Sequence, residues 1–159
     1  MPVLNDHIKR LEDMKKYPKD LFYDGELELL NRPKISIVGS RRPSKYSKTQ
    51  ILNLASKLSS IGVCVVSGGA MGIDAIAHQG AKSSNTISVL PCGIDLRYPA
   101  VNKKLLDSIS QEGLLLSQFP MGEKARPYSF VLRNEIVVAL GDVLVVGEAD
   151  EGSGTMRSV

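Results

Sequence analysis

Two glycine-bearing turns carry residue types that suit the binding of a phosphate. The first, residues 39–44, reads Gly-Ser-Arg-Arg-Pro-Ser, and the guanidinium of Arg41 can grip a phosphate with two hydrogen bonds. The second, residues 67–74, holds three glycines, which allow successive N–H groups to point at one anion. A tight turn whose aspartate stabilises the next helix fits the second segment as well. The candidate ligands of these turns are Gly39, Ser40, Arg41, Gly68, Gly69, Ala70 and Gly72.

A third group of candidates lies nearer the end of the chain, where Phe130 precedes Arg133 and Asn134. An aromatic ring near an arginine can stack a nucleobase while the cation meets its phosphate. Phenylalanine alone is more often a core residue, and Glu135 opposes a phosphate surface unless it pairs with Arg133 or points inward. We predict that Phe130, Arg133 and Asn134 belong to a nucleic-acid site.

Positive charge is concentrated in one stretch of the chain. The protein has 20 Lys and Arg against 17 Asp and Glu, a net charge of +3, yet no acidic residue lies between Glu28 and Asp74. A basic strip attracts phosphates through steering and counterion release, although an ordinary solvated helix face shows the same pattern. Weaker candidates for phosphate contacts are Arg42, Lys45, Lys124 and Arg126.

The same motifs disfavour several chemistries. The 39–44 turn lacks the second glycine of a P-loop and the three spaced glycines of a dinucleotide fingerprint. Ser67 stands near where an acid would hold the ribose of NAD. Asp74 and His78 lie four residues apart, a spacing that fits a catalytic acid–base pair or, as we prefer, a structural hydrogen bond. We therefore predict a protein that is not an enzyme.

The elements that must position these residues alternate between short apolar strands and helices. Strands are predicted at 35–38, 63–66, 86–90, 114–117 and 143–147, with helices at 47–61, 72–82, 101–110 and 129–140. This alternation predicts an α/β, Rossmann-like, doubly wound fold: a mostly parallel sheet with helices on both faces. Such sheets bind ligands at the carboxyl ends of their strands, which is where both glycine turns emerge.

Composition and organisation narrow the class further. The length of 159 residues suits one domain, and an apolar content of 43% excludes intrinsic disorder. Residues 1–33 are predicted to be a short helical lead-in, and residues 34–159 the Rossmann-like core. Residues 152–155 resemble a loop that opens another helix, so we expect the C-terminal end of this core to be incomplete.

Membrane, metal and secretion signals are weak in this sequence. No apolar run approaches the ~18 residues that span a bilayer, and the first ten residues do not form a signal peptide. Cys64 and Cys92 have neither the spacing of a zinc site nor a disulfide framework. We predict a cytoplasmic protein with no membrane contact, no cofactor and no metal.

Taken in order, these motifs resemble the DNA-processing protein A family (DprA, also called Smf). The matching segments lie at 39–41, 67–74, 77–78, 93–95, 98–99, 130, 133–134 and 152–154. Each one is weak by itself, but the ordered set spans about residues 33–156 and is specific. One position departs from the family, whose common Arg-Asn-Arg reads Arg133-Asn134-Glu135 here.

The resemblance implies a domain that binds single-stranded DNA and helps to load the RecA recombinase during natural transformation. By position it implies that DNA contacts Arg41, the 68–72 loop, Phe130 and Arg133. It also implies a homodimer in the full-length protein. The family continues past the Ser-Gly-Ser/Thr loop into a segment of its dimer surface, so we leave the oligomeric state of the present chain open.

Two alternatives share this fold and these loops. A nucleoside-monophosphate phosphoribohydrolase carries the pattern Pro-Gly-Gly-x-Gly-Thr-x-x-Glu. Residues 152–155 imitate its glycine part, but Ser158 stands where the proton-transferring glutamate belongs. A nucleotide sensor would use the same pocket without catalysis, although one mononucleotide does not need so many cations.

Overall fold

The computed structural model describes residues 3–4, 8–14 and 16–149, which form three layers. The strands are β1 (Phe22–Gly25), β2 (Lys34–Gly39), β3 (Cys64–Ser67), β4 (Thr86–Val89), β5 (Leu114–Ser117) and β6 (Val143–Gly147). The helices are α1 (Lys45–Ser60), α2 (Ile73–Ala81), α3 (Lys103–Glu112) and α4 (Pro127–Leu140). Short 3-10 helices occupy Lys9–Asp13, Leu27–Asn31, Ser83–Asn85 and Ala100–Asn102.

The strands form one six-stranded sheet in the order β1-β5-β4-β3-β2-β6. β1 runs antiparallel to β5, and every other neighbouring pair is parallel. Successive crossovers from β2 lead one way to β5, and the chain then returns to place β6 on the far side of β2. The strand order therefore reverses at β2, where doubly wound sheets hold ligands. The predicted α/β, mostly parallel, doubly wound fold is confirmed.

Both faces of the sheet are covered by apolar side chains, which explains why the strands read as continuous apolar runs. Successive residues of β3 point to opposite faces. Val65 packs in the cluster that contains residues of α1 and α2, and Val66 packs in the cluster that contains residues of α4. α3 closes the first face with Leu106 and Ile109, which pack around Leu115 of β5. This packing fixes α1, α2 and α4 around the carboxyl ends of β2 and β3.

The lead-in differs from the sequence prediction. Two of its expected helical pieces are 3-10 helices, but Phe22–Gly25 forms a strand that was not predicted. Asp24 and Gly25 are typical turn residues, and only the pairing of Gly25 with Leu114 and its neighbours makes the segment extended. The division into 1–33 and 34–159 stays a prediction. The 152–155 loop and the helix expected after it lie outside the described residues.

Candidate nucleic-acid interface

The two glycine turns follow β2 and β3 and touch each other through their backbones. The N–H of Ile73 donates a hydrogen bond to the carbonyl oxygen of Ser40 at 3.1 Å. Between them, Gly72 adopts a φ of +82°, and a Cβ at this position would lie 2.4 Å from that oxygen and 2.7 Å from the carbonyl carbon of Arg41. Only glycine permits this approach. The structure thus places the turns side by side, as a shared site requires.

An open pocket of about 280 Å³, solvent-filled space included, lies where these turns meet the start of α4. Five of the candidate residues line it, as does Met71 of the 68–72 loop, and three residues that the sequence analysis did not assign to the site complete the wall. The candidates are Arg41, Gly68, Ala70, Phe130 and Arg133, and the unassigned residues are Pro91, Tyr98 and Pro99.

Phe130 is the centre of the pocket's polar and aromatic contacts. The guanidinium carbon of Arg41 lies over its ring, 5.4 Å from the centroid, and that of Arg133 lies 5.6 Å from the same centroid. Tyr98 meets the ring edge-on, with centroids 5.5 Å apart and planes inclined by 63°. A ring face attracts cations, so Phe130 holds the exposed Arg41 side chain at the pocket.

Arg133 lines the pocket but is only 3% exposed. Its Nη1 donates to the carbonyls of Gly68 and Val89, and its Nε donates to Oδ1 of Asn134 at 3.0 Å. A Cβ on Gly68 would lie 2.7 Å from the guanidinium carbon, so this glycine makes room for the arginine. Arg133 and Asn134 were predicted to contact nucleic acid. The structure shows that the hydrogen bonds of Arg133 are made within the protein and tie β3 and β4 to α4.

The second glycine turn surrounds the carboxylate of Asp74, which is 6% exposed. Its Oδ2 accepts hydrogen bonds from the N–H groups of Gly68 at 3.1 Å and Ala70 at 3.3 Å. Burial raises the pKa of Asp74, and the charge of Arg133 and these hydrogen bonds oppose that rise. Two N–H groups that were expected to meet a bound anion therefore meet the protein's own carboxylate. An acid at the first turn of the following helix was the signal for this arrangement.

The N-terminus of α1 is also occupied by a carboxylate of the protein. Ser44 caps the helix by accepting from the N–H of Ser47, and its own N–H donates to Oε2 of Glu148 at 2.8 Å. Hydrogen bonds from Ser44 and Ser47 lower the pKa of Glu148. The sequence analysis missed Glu148, which follows β6 and whose carbonyl accepts from the N–H of Ser40. The positive charge that a ligand can reach in this region is therefore the guanidinium of Arg41, because the N-terminus of α1 is already occupied by Glu148.

The remaining candidates divide between packing and open surface. A Cβ on Gly39 would lie 2.6 Å from the carbonyl oxygen of Gly147, and the carbonyl of Gly69 accepts from Nδ2 of Asn102. The four weaker candidates are exposed and do not line the pocket, and Glu135 is exposed as well. Those four are Arg42, Lys45, Lys124 and Arg126.

His78 and Asp74 do not form a catalytic pair. Nδ1 of His78 lies 2.7 Å from Oγ1 of Thr86, and Asp74 bonds to the glycine turn instead. The structural hydrogen bond that was preferred for Asp74 and His78 is not formed either, since the partner of His78 is Thr86. Burial and the charge of Arg133 lower the pKa of His78 to about 3, which keeps the imidazole neutral. The acid–base alternative is therefore wrong.

The described residues, 3–4, 8–14 and 16–149, show neither a metal cluster nor a helix that could span a membrane. This part of the chain contains no cluster of three or more His, Cys, Asp and Glu side chains that could hold a metal ion. Its two cysteines are buried free thiols. Burial raises the pKa of Cys64 to about 12 and that of Cys92 to about 11. None of the helices described here is long and apolar enough to span a bilayer.

Fold and pocket together define a Rossmann-like domain with an arginine–aromatic site at the carboxyl ends of its strands. The family model of DNA recombination-mediator protein A matches residues 3–159, and the chain belongs to that family. This confirms the resemblance that the ordered motifs gave.

Relatives from Streptococcus pneumoniae and Helicobacter pylori are similar to this chain in sequence and in structure. The DNA processing protein DprA of Streptococcus pneumoniae is 37% identical over 148 residues, covering 92% of this chain and 52% of the relative. Its solved structure superposes with a TM-score of 0.90 at 36% identity, over 96% of this chain and 54% of that one. A structure of DNA processing protein A from Helicobacter pylori, described for its single-stranded DNA binding mode, gives a TM-score of 0.96 at 40% identity. It covers 99% of this chain and 73% of that one. The chain thus spans about half the length of the Streptococcus relative.

Proposed function

We propose that this chain is a single-stranded DNA-binding core that acts without catalytic chemistry of its own. One observation carries the proposal: the exposed guanidinium of Arg41 is held 5.4 Å from the Phe130 ring at an open pocket. A cation beside an aromatic surface suits a sugar-phosphate chain with unpaired bases. The Helicobacter pylori relative, 40% identical, is described as binding single-stranded DNA.

In this proposal Arg41 binds a phosphate and the aromatic rings receive a base. Tyr98 is 43% exposed and Phe130 half-buried, so both can contact a base that enters the pocket. Base–aromatic stacking contributes about 1–3 kcal/mol per base and tolerates any sequence. The exposed side chains of Lys124 and Arg126 contact neighbouring phosphates, and those of Arg42 and Lys45 contact phosphates further along the strand. The glycines and Ser40 shape the turns that hold Arg41, and Arg133, Asn134 and Asp74 stabilise them.

The wider role follows from the family. We propose that the whole protein works in DNA processing in the cytoplasm, protects incoming single strands during natural transformation, and helps to load a RecA-type recombinase as a homodimer. Support comes from the family match and from relatives named for DNA processing. The present chain covers 52% of the length of the Streptococcus pneumoniae relative.

The proposal also holds that the pocket is not catalytic. Asp74 and His78, the titratable pair nearest in sequence to the glycine turn, are buried, and neither lines the pocket. Ser158, which stands where a phosphoribohydrolase would have its glutamate, lies outside the described residues. Incubation with AMP should release neither adenine nor ribose 5-phosphate, and release of both would favour the hydrolase alternative instead.

A direct test compares single- and double-stranded oligonucleotides of equal length by fluorescence anisotropy at two salt concentrations, with a sizing column alongside. We expect preferential binding of the single strand, with log affinity falling by ~0.7 per neutralised phosphate for each unit of log salt. Equal binding of the duplex, or full displacement by free AMP, would contradict the proposal, and displacement would favour a nucleotide sensor.

A further inference from the structure

The exposed side of α1 is rich in cations and includes an aromatic ring. Its first turn exposes Lys45 and Lys48 together with Tyr46, whose side chain is 72% exposed. The opposite side of the helix packs Ile51 and Ala55 into the core. Core packing thus explains the buried residues of α1 but does not explain why the large aromatic side chain of Tyr46, one residue after Lys45, is left in solvent.

The stretch of sequence that contains α1 holds few acidic residues. Between Glu28 and Asp95 the sequence contains one acid, Asp74, which is 6% exposed and bonded to the glycine turn. At the head of α1, Glu148 uses one carboxylate oxygen to accept from the N–H of Ser44. Hydrogen bonds lower the pKa of Glu148, so its negative charge persists beside the helix start. A DNA strand that binds along α1 therefore has to contact the exposed side chains of the helix and not its N-terminal end.

The cationic side of α1 is continuous with the pocket. Arg42 is exposed and directly follows Arg41, and its N–H donates to Oγ of Ser40. Lys45 begins the helix only four residues after Arg41. Because a helix rises 1.5 Å per residue, Lys48 lies about 4.5 Å further along the helix axis than Lys45. The exposed cations Arg42, Lys45 and Lys48 therefore follow Arg41 along the chain with no acidic residue between them.

We propose that Arg42, Lys45, Tyr46 and Lys48, here called the α1 track, form a second single-stranded DNA subsite that receives the strand as it leaves the pocket. The inference rests on the proposed function, because the strand enters the α1 track from Arg41. The cations contact successive phosphates, and Tyr46 stacks an unpaired base. This combination of charge and aromatic surface is the one that binds single strands without sequence preference.

The test uses oligo-dT of two lengths, six and twenty nucleotides, with each affinity obtained by competition against a labelled twenty-mer. In the K45A/K48A double variant the twenty-mer should bind at least fivefold more weakly, with a salt slope lower by about 1.4. The six-mer, which the pocket can hold alone, should change less than twofold. Y46A should weaken the twenty-mer by about fivefold or more and leave the six-mer unchanged.

A matched control removes the same charge elsewhere. K16A/K19A neutralises two exposed lysines of the N-terminal segment, whose Leu11 and Leu21 pack on the α4 face of the sheet. This control should leave both lengths unchanged. The inference is overturned if K45A/K48A lowers the affinity for both oligo-dT lengths or for neither. It is also overturned if this variant weakens the binding of a twenty-base-pair duplex as much as that of the single strand. If the wild-type protein binds neither oligo-dT length, the proposed function itself fails. If it binds single strands but K45A/K48A changes the affinity for both lengths equally, only the α1 track is rejected.

Discussion

The guanidinium groups of Arg41 and Arg133 lie 5.4 Å and 5.6 Å from the centroid of one ring, that of Phe130, yet they differ sharply in exposure. Arg133 is 3% exposed, and its Nη1 donates to the carbonyls of Gly68 and Val89. Arg41 is open to solvent. The buried arginine therefore organises the pocket, and the exposed one is available to a ligand.

Replacing Arg41 with alanine should weaken oligo-dT binding at least tenfold and reduce the salt slope by about 0.7, because one phosphate contact is lost. Arg41→Lys should give an intermediate affinity, since lysine keeps the charge but loses the planar contact with Phe130. Fluorescence anisotropy over a range of salt concentrations measures both quantities. Lys19→Ala, which removes an exposed charge from the N-terminal segment, should bind like wild type. Unchanged affinity in Arg41→Ala would reject this pocket as the DNA site.

Phe130→Ala should lower single-strand affinity by about 5- to 160-fold, since stacking contributes ~1–3 kcal/mol per base. It also removes the ring that orients Arg41. Phe130→Tyr keeps the ring and should stay within about threefold of wild type. Both variants are measured with the same oligo-dT, and their folding is checked by circular dichroism. A similar loss in both would mean that an intact ring is not what the DNA needs.

Gly68 and Arg133 should be strongly coupled in stability. Gly68→Ala puts a Cβ 2.7 Å from the guanidinium carbon, so we expect a loss of about 1–3 kcal/mol from overpacking. Arg133→Met leaves the Asp74 carboxylate without its cation and should cost about 3–5 kcal/mol.

The double variant tests the coupling. Once Arg133 is replaced by the slimmer methionine, Gly68→Ala should cost less than it does alone. Urea denaturation of wild type, both single variants and the double variant provides the cycle. Strict additivity would show that the alanine at position 68 does not act through the guanidinium.

Stability should fall in mild acid because of His78. The hydroxyl of Thr86 donates to the carbonyl of Val65, so Nδ1 of His78 must donate to Thr86 and Nε2 stays unprotonated. The folded-state pKa of about 3 lies below the ordinary 6.5, so only the unfolded state binds this proton between those values. The contribution is thus complete above pH 6.5 and is lost by up to ~1.4 kcal/mol per unit as the pH falls towards 3.

His78→Asn isolates this effect, because the asparagine Nδ2 can still donate to Thr86 but does not titrate. The stability advantage of wild type over the variant should shrink as the pH falls from 7 to 4. Asp74 is present in both proteins and does not bond to His78, so its titration cancels in the difference. Chemical denaturation at a series of pH values measures this difference, and parallel curves would contradict a neutral buried His78.

Most of the fold was predictable because both faces of the sheet are apolar and glycine or proline punctuates most of the strand ends. The predicted strand 114–117 agrees residue for residue with β5, and 143–147 with β6. β1 was not predictable in this way, because its four residues become a strand only by pairing with β5. Local propensity favours a turn at Asp24-Gly25, and tertiary contact overrides it.

The sequence predicted which residues lie at the candidate site better than it predicted what each of them does there. Sequence order showed that Arg41 and the glycine turn follow neighbouring strands. It did not show that Arg133, 65 residues beyond Gly68, would be buried against it. Glu148 was missed because nothing near it in sequence indicates contact with the start of α1, more than a hundred residues earlier. Such long-range pairings depend on how the crossovers stack, which a local pattern does not contain.

Asp74 gives the glycine turn a permanent internal acceptor, and this has a kinetic consequence. A loop whose amides wait for an outside anion must freeze its backbone at the moment of capture, and that ordering weakens affinity. Here the backbone of Gly68 and Ala70 is already fastened by Oδ2. A DNA strand that binds at Arg41 would therefore contact a loop that is already ordered. Its association rate should be limited by diffusion and charge steering instead of loop rearrangement.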